Sequence, residues 1–225
     1  MWGKGDRYKD REEAGRVLAS MLGAHMGGEG LVLAIPNGGV AVGAAISTAL
    51  RWGLGLMVVR KIQFPHNPEA GFGAVGADGT VVLDEGLITA QGLGPEDVRL
   101  QKEKALRSVW ERVERLGARA LLPPVKGRKV ILVDDGLATG STMEAAVSIA
   151  RRQGPAMVTV AVPTASHRAW GRIRGLVDDL VCPHVGRGPF FAVADAYQCW
   201  CDVTDDEVIQ MMDSMLQTPL SGVPS

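Results

Sequence analysis

Apolar residues along this chain recur at two periods, and the switches between them mark out its elements. Ala14, Val17, Leu18, Met21 and Leu22 fall at helical spacing behind Asp10 and Glu13, a capping-box pair, and predict a helix over about 10–25. Leu31 to Ile35 is a short, fully apolar strand pattern that stops at Pro36-Asn37-Gly38-Gly39, and Val40 to Leu50 then reads as a small-residue helix. Leu56 to Ile62 is a second β-branched run. Its unbroken apolarity up to Arg60 predicts a strand covered on both faces, as in a parallel sheet. The segment from Phe64 to Gly79 carries two prolines, four glycines, His66 and Asn67. It reads as too irregular for an element and long enough for a mobile functional loop, about 63–80, closed by a strand over Thr80 to Asp84.

Pro95 sits where a first helical residue would, and Leu106, Val109, Trp110, Val113 and Leu116 form an apolar stripe ending at Gly117. Beyond Pro123-Pro124 come strand Val130 to Val133, helix Ser141 to Arg152, strand Met157 to Val162, a short helix His167 to Arg174 and strand Leu180 to Cys182. Thr204 with Glu207 makes a second capping box, opening a terminal helix over about 204–217. This alternation predicts an α/β fold: a central, mainly parallel sheet with helices on both faces, in one domain with a small C-terminal hood over about 183–203.

Composition narrows the class. With 225 residues, 46% of them hydrophobic, the chain can bury one full core. Its 24 basic and 25 acidic residues leave a net charge of −1, which argues against general nucleic-acid or membrane-surface binding. No apolar run approaches the ~18 residues of a spanning helix, and the first twenty lack a signal peptide's apolar centre, so a cytoplasmic location is expected. Three cysteines, Cys182, Cys199 and Cys201, form no disulfide framework or zinc spacing, and Cys182 reads as core. Glycine is the outlier: 29 residues, against a usual share of about 7%. Either loops are abundant or the backbone must approach a ligand closely.

The chemistry gathers at strand ends. Val130-Ile131-Leu132-Val133-Asp134-Asp135-Gly136-Leu137-Ala138-Thr139-Gly140-Ser141-Thr142 delivers two adjacent carboxylates to the end of a buried strand, then turns through small hydroxyl residues into a helix. Backbone N–H groups of Thr139 to Thr142 at that helix start favour a dianionic phosphate, and the hydroxyls add donors. Asp134 and Asp135 repel phosphate, so they suit hydroxyls or a metal on the same ligand. A sugar phosphate satisfies both halves. The bland reading is a capped helix beside two solvated aspartates.

This run resembles the donor loop of the type I phosphoribosyltransferases: four apolar residues, two acids, a short variable stretch, then Thr-Gly-x-Thr. The resemblance implies that Asp134 and Asp135 hold the ribose hydroxyls, with Mg²⁺ bound directly or through ribose or water, and that Ala138, Thr139, Gly140, Ser141 and Thr142 hold the 5′-phosphate. Pro36, Asn37, Gly38 and Gly39 occupy the place of that family's diphosphate loop, with Asn37 where relatives often carry Arg or Lys. Arg60 and Lys61 look like its diphosphate-facing cations; read alone, they are a solvated strand end. Catalysis is thereby expected of Asp134, Asp135, Arg60 and Lys61. The 64–79 segment falls where the family keeps a loop that closes over the reacting centre and excludes water, with His66, Asn67 and Glu69 as its polar candidates.

More of the chain is similar to one subgroup of predicted phosphoribosyltransferases, through Asp10-Arg11-Glu12-Glu13-Ala14-Gly15-Arg16-Val17-Leu18, Val59-Arg60-Lys61, Asn67-Pro68-Glu69, Gly73-Ala74-Val75 and Phe191-Ala192-Val193. It departs at Ala194 and Asp195, before Tyr197. The implied activity is transfer of ribose 5-phosphate from phosphoribosyl diphosphate to a nitrogenous base in nucleotide salvage, by a cytoplasmic homodimer. Ala138, where 6-oxopurine enzymes carry an acid, and the lack of lysine in Met157 to Ala165 lean towards adenine. Phe190 or Phe191 could stack on the base; the alternative is a core pair. Two further readings stay open: a non-catalytic sensor of the donor on the same fold, and a phospho-receiver domain, which lacks its acceptor aspartate in Met157 to Ala165. Gly71-Phe72-Gly73-Ala74-Val75-Gly76 fits a dinucleotide fingerprint literally, without the strand before or the helix after.

Overall fold

A computed structural model describes residues 7–23, 27–188 and 191–217. Its elements in chain order are α1 (Arg11–Gly23), β1 (Gly30–Ala34), α2 (Gly39–Leu50), β2 (Gly53–Leu56), β3 (Val59–Phe64), β4 (Asn67–Gly76), β5 (Val81–Leu83), α3 (Glu85–Ala90), α4 (Pro95–Leu116), β6 (Lys129–Val133), α5 (Ser141–Arg152), β7 (Met157–Ala161), β8 (Thr164–Ser166), α6 (His167–Arg174), β9 (Asp179–Val181), β10 (His184–Gly186) and α7 (Asp205–Gln217).

Five strands form a parallel sheet in the order β2-β1-β6-β7-β9. The central strands are almost wholly apolar because both faces are covered, with Lys129 at the start of β6 and the buried Thr159 of β7 as the polar positions. Val32, Ile131 and Val133 point to Leu18, Leu22, Val42 and Ile46 of α1 and α2. Their neighbours Leu31, Leu33, Val130 and Leu132 point to Met143, Val147 and Ile149 of α5 and to Ala169 and Ile173 of α6. Burying side chains of this size stabilises the fold by about 1.5–3 kcal/mol each, which makes these two layers its main support. The expected α/β architecture is observed. On α1, Ala14, Leu18 and Leu22 face inward, while Val17 and Met21 of the expected stripe are exposed; on α4, Trp110 is exposed.

The expected strand Leu56 to Ile62 is instead two strands in two sheets. The chain pairs with β1 through Leu56 in parallel, turns at Met57-Val58, and continues as β3 in an antiparallel sheet of order β3-β4-β5. Both pieces are largely buried, so nothing in the apolar run marks the change of sheet. The expected irregular loop is corrected as well. Residues 64–79 contain β4, which returns along β3 after a turn at Pro65-His66. Phe72 on β4 is fully buried against Phe64, their ring centroids 5.4 Å apart, in a layer shared with Val109 of α4 and Val208 and Met212 of α7. Gly73 is there for packing: a Cβ on it would lie 2.4 Å from the Val82 carbonyl oxygen of β5.

Within the expected hood, β10 pairs with β8, and Val193–Ala196 forms a 3-10 turn. The chain then pairs with the residues before α1: the Tyr8 N–H donates to the Ala196 carbonyl (2.9 Å), and the Gln198 N–H donates to that of Tyr8 (2.8 Å). Asp10 caps α1 by accepting the Glu13 N–H at 2.9 Å, and the Glu13 carboxylate accepts the Lys9 N–H. Cys182 is half-buried against the α5–α6 layer, and burial raises its thiol pKa to about 12. Among the described residues no helix is long and apolar enough to cross a membrane.

Phe72→Ala tests the packing of the hairpin. Removing a fully buried ring is expected to cost about 3–5 kcal/mol in denaturant unfolding; a loss below about 1 kcal/mol would show that residues 64–79 do not pack as a sheet.

Candidate functional site

The strand order reverses between β1 and β6. After β1 the chain leaves for α2 on one face of the sheet, and after β6 it leaves for α5 on the other, so a crevice opens outside the two strand ends. The loops 35–39 and 134–140 line it. They are close: a Cβ on Gly38 would fall 1.8 Å from Oδ2 of Asp135, and one on Gly39 would fall 2.9 Å from Cα of Asp134. Only glycines let the first loop lie against the acidic pair. The Pro36-Asn37 peptide is cis.

Asp134 and Asp135 both remain half-buried at the end of β6. Burial, and next the charge of Asp135, push the Asp134 carboxyl well above the usual carboxylate range. Burial also raises that of Asp135, but a guanidinium opposes it. Nε and Nη2 of Arg11 each lie 2.9 Å from Asp135 Oδ2, and Nη1 donates to the Cys201 carbonyl at 2.8 Å. The Trp200 ring lies 4.0 Å from that guanidinium, and Tyr197 donates its hydroxyl to the Asp135 carbonyl at 2.7 Å. Burial carries the Tyr197 phenol far above its ordinary pKa, so it is a fixed donor at neutral pH.

The predicted phosphate turn opens α5. Gly140 is left-handed at φ 76°, the Thr139 and Ser141 hydroxyls are 3.1 Å apart, and no side chain from the N-cap position closes the helix start. The Ser141 N–H donates to Thr139 Oγ1 at 3.3 Å, and by helix geometry the N–H groups of Thr142 and Met143 have no acceptor within the helix. Arg172 of α6 approaches from one side, with Nη1 3.3 Å from Ser141 Oγ and 3.4 Å from a Glu144 carboxylate oxygen. Ala138 is fixed through its carbonyl, which accepts from the Ser166 hydroxyl at 2.7 Å.

The two expected diphosphate cations are separated by the alternation of β3. Arg60 turns to α4, where its Nε donates to Ser108 Oγ at 3.1 Å; burial, then the charge of Arg112, lower its pKa. Lys61 lines a cavity of about 600 Å³ on the α5 side, bounded by Ser141, Glu144 and Arg172. Asn37 is occupied structurally: its amide donates to the Val203 carbonyl at 2.5 Å and to Asp205 at 3.1 Å, and Asp205 pairs with Arg112 at 2.7 Å. Gly38 and Gly39 present only backbone, and Pro36 has no N–H to donate. Phe191 is half-buried with its ring over Gly186 of β10, which pairs with Ser166; Phe190 lies outside the described residues. His66 and Asn67 are exposed at the hairpin tip. Cys199 and Cys201 are exposed. Among the described residues no group of three or more His, Cys, Asp or Glu could hold a metal ion.

Sequence reasoning missed Arg11, Tyr197, Trp200 and Arg172 as site residues. Arg11 lies 124 positions from Asp135; its visible signs were its place after a helix cap and in the Asp10 to Leu18 stretch shared with the resembling subgroup, neither of which points to the acid pair.

A carboxyl raised by burial and a like charge makes the pair a source of instability. The sign follows directly: Asp134 binds its proton more tightly folded than unfolded, so stability declines as pH rises from the ordinary carboxylate value through the folded one. Asp134→Asn is expected to stabilise the fold at pH 8 by on the order of 1 kcal/mol, read as a raised melting temperature, with the difference vanishing near pH 4. A variant less stable at pH 8 would contradict this electrostatic picture.

Similarity to known proteins fits the geometry. The family model described as "Phosphoribosyl transferase domain" matches residues 6–194. Two Mycobacterium tuberculosis proteins, from strains CDC 1551 and H37Rv and provisionally named phosphoribosyl transferases, are each 36% identical over 206 residues. The match covers 92% of this chain but 46% of theirs, so the chain spans about half their length. The crystal structure of TT1426 from Thermus thermophilus superposes with a TM-score of 0.86 at 34% identity, covering 93% of this chain and 99% of that one. On that match and these relatives, with a crevice, an acidic pair and a glycine turn opening α5 at the sheet's reversal, the chain belongs to the phosphoribosyl transferase domain family.

Proposed function

We propose that this chain transfers ribose 5-phosphate from phosphoribosyl diphosphate to a nitrogenous base, a purine with adenine favoured, and releases diphosphate. The observation that carries this reading is the contact of the Gly38 turn with Asp135, beside the open start of α5. One crevice thus offers hydroxyl acceptors, a phosphate turn and a backbone-only loop in the order that a ribose bearing a phosphate and a diphosphate requires.

In this reading Asp134 and Asp135 accept the ribose hydroxyls. Thr139 to Thr142, with Ala138 at its edge, take the 5′-phosphate on backbone N–H groups and hydroxyls. Pro36 to Gly39 lie along the diphosphate, with Arg60 on that side and Lys61 on the phosphate-turn side. A base nitrogen bonds to C1 as the C1–diphosphate bond breaks; the base loses a proton and the diphosphate departs with the bond's electrons. The hairpin of β3 and β4, with His66 and Asn67 at its tip, covers this centre and keeps water out; Glu69, also assigned to it, has a side chain outside the described residues. Phe191 and, beyond the described residues, Phe190 are assigned to stacking on the base. Ala138 and the absence of lysine from Met157 to Ala165 favour adenine over 6-oxopurines.

Mg²⁺ fits this set as an ion that brings most of its own ligands. Asp134 and Asp135 supply hard oxygens, but Asp135 Oδ2 is committed to Arg11 and no three-residue cage exists among the described residues; water and donor oxygens fill the remaining positions. When bound, the ion neutralises charge on the leaving diphosphate. The family resemblance also supports a homodimer acting in cytoplasmic nucleotide salvage.

The test is a screen of adenine, hypoxanthine, guanine, xanthine, uracil and orotate with the donor and Mg²⁺, read by nucleotide mass and diphosphate release. Adenine nucleotide is expected to form fastest, and chelation with EDTA should stop it. Asp134→Asn with Asp135→Asn should reduce turnover on the order of 10²–10⁴-fold, having lost charge-assisted hydrogen bonds to two hydroxyls, with circular dichroism unchanged. Full turnover in that double variant would overturn the site. Donor binding with no base reacting would make the chain a sensor.

A further inference from the structure

We propose that Arg11 is a positioning residue for the ribose site, fixing the plane of the Asp135 carboxylate, and that residues 197–205 hold both site loops through it and through Asn37. This inference rests on the function proposed above. It goes beyond the family's donor loop, because residues 197–205 lie outside the stretch matched by the family model, 6–194.

The Arg11 side chain is 8% exposed and that of Asp135 is 15%. Stability alone is a poor reason for such a pair, since desolvating both charges offsets much of their attraction and apolar replacements often do as well. The geometry offers another reason. Oδ2 of Asp135 sits between the Gly38 backbone and two nitrogens of one guanidinium. The guanidinium is in turn fixed in its plane by the Cys201 carbonyl and across its face by Trp200. Its backbone is fixed too, because the Asp10 cap makes Arg11 the first residue of α1. Asp135 therefore cannot turn about its last side-chain bond without breaking these contacts. A hydroxyl acceptor held in one orientation binds without first losing that freedom.

The same segment braces the opposite wall. Tyr197 holds the Asp135 carbonyl, and the Asn37 amide, at the tip of the diphosphate turn, is held by Val203 and Asp205. Nine consecutive residues thus brace the acid pair on one side and the diphosphate turn on the other. Asn37 replaces a cation of the resembling family with a side chain that serves this brace.

Arg11→Lys keeps the charge but loses the fork and the stack. In the full chain, the donor KM is expected to rise about tenfold, with the base KM unchanged and kcat altered less than threefold. Trp200→Leu should raise the donor KM severalfold in the same direction. A merely structural role would lower thermal stability without this split. The double-mutant cycle is decisive: in an Asp135→Asn background, Arg11→Lys should change donor affinity, read by calorimetry with phosphoribosyl diphosphate, less than twofold. Equal effects of Arg11→Lys in both backgrounds, or no effect in wild type, overturn the inference and leave the function standing. A wild-type chain that does not bind the donor overturns both.

Discussion

From β1 the chain crosses over to β2 on one side, and from its parallel neighbour β6, where Val133 lies opposite Ala34, it crosses to β7 on the other; because such crossovers are right-handed, the two connections leave to opposite faces of the sheet. That divergence is the constraint on which the site depends. It brings the loop after β1 and the loop after β6 together at their first residues and lets them part only further out. With no side chain on Gly38, the first loop lies directly on the Asp135 carboxylate. The crevice is therefore a property of strand order, and its lining is a property of the few residues that immediately follow each strand.

Strand order also sets the electrostatics. Two neighbouring carboxylates at the end of a buried strand repel each other and are poorly hydrated, so the carboxyl of Asp134 is driven towards its neutral form. Arg11 offsets the charge of Asp135 from the far end of the chain. The open start of α5 supplies positive potential a few residues on. In the proposed function, carboxylates that accept hydroxyls and a helix start that favours phosphate therefore sit side by side.

What was legible in the sequence was local. Asp134 to Thr142 announces itself because strand, acids, turn and helix start follow within thirteen residues, and each has a chemical requirement. The helices over Arg11–Gly23, Ser141–Arg152 and His167–Arg174 are visible for the same reason. Contacts across the chain were not legible. Leu56 to Ile62 looks like one strand because burial on both faces erases the period that would reveal its break at Met57-Val58. The glycines of 71–76 read as mobility, yet Gly73 carries no side chain because β5 passes too close. Arg60 and Lys61 read as a pair of cations for one ligand, although a strand must point them to opposite faces. Tyr197 and Trp200 reach the acid pair only because residues 8–9 pair with 196–199, a contact across the chain.

The central claim is that one crevice at the sheet's reversal binds a ribose through the acid pair and its two phosphorylated ends through the flanking loops. A crystal structure of the chain with phosphoribosyl diphosphate and Mg²⁺ tests it most directly. The ribose hydroxyls should lie on Asp134 and Asp135, the 5′-phosphate within Thr139 to Thr142 and the diphosphate along Pro36 to Gly39, with Arg11 still on Asp135. A donor bound elsewhere, or bound here with Arg11 displaced from Asp135, would contradict the account.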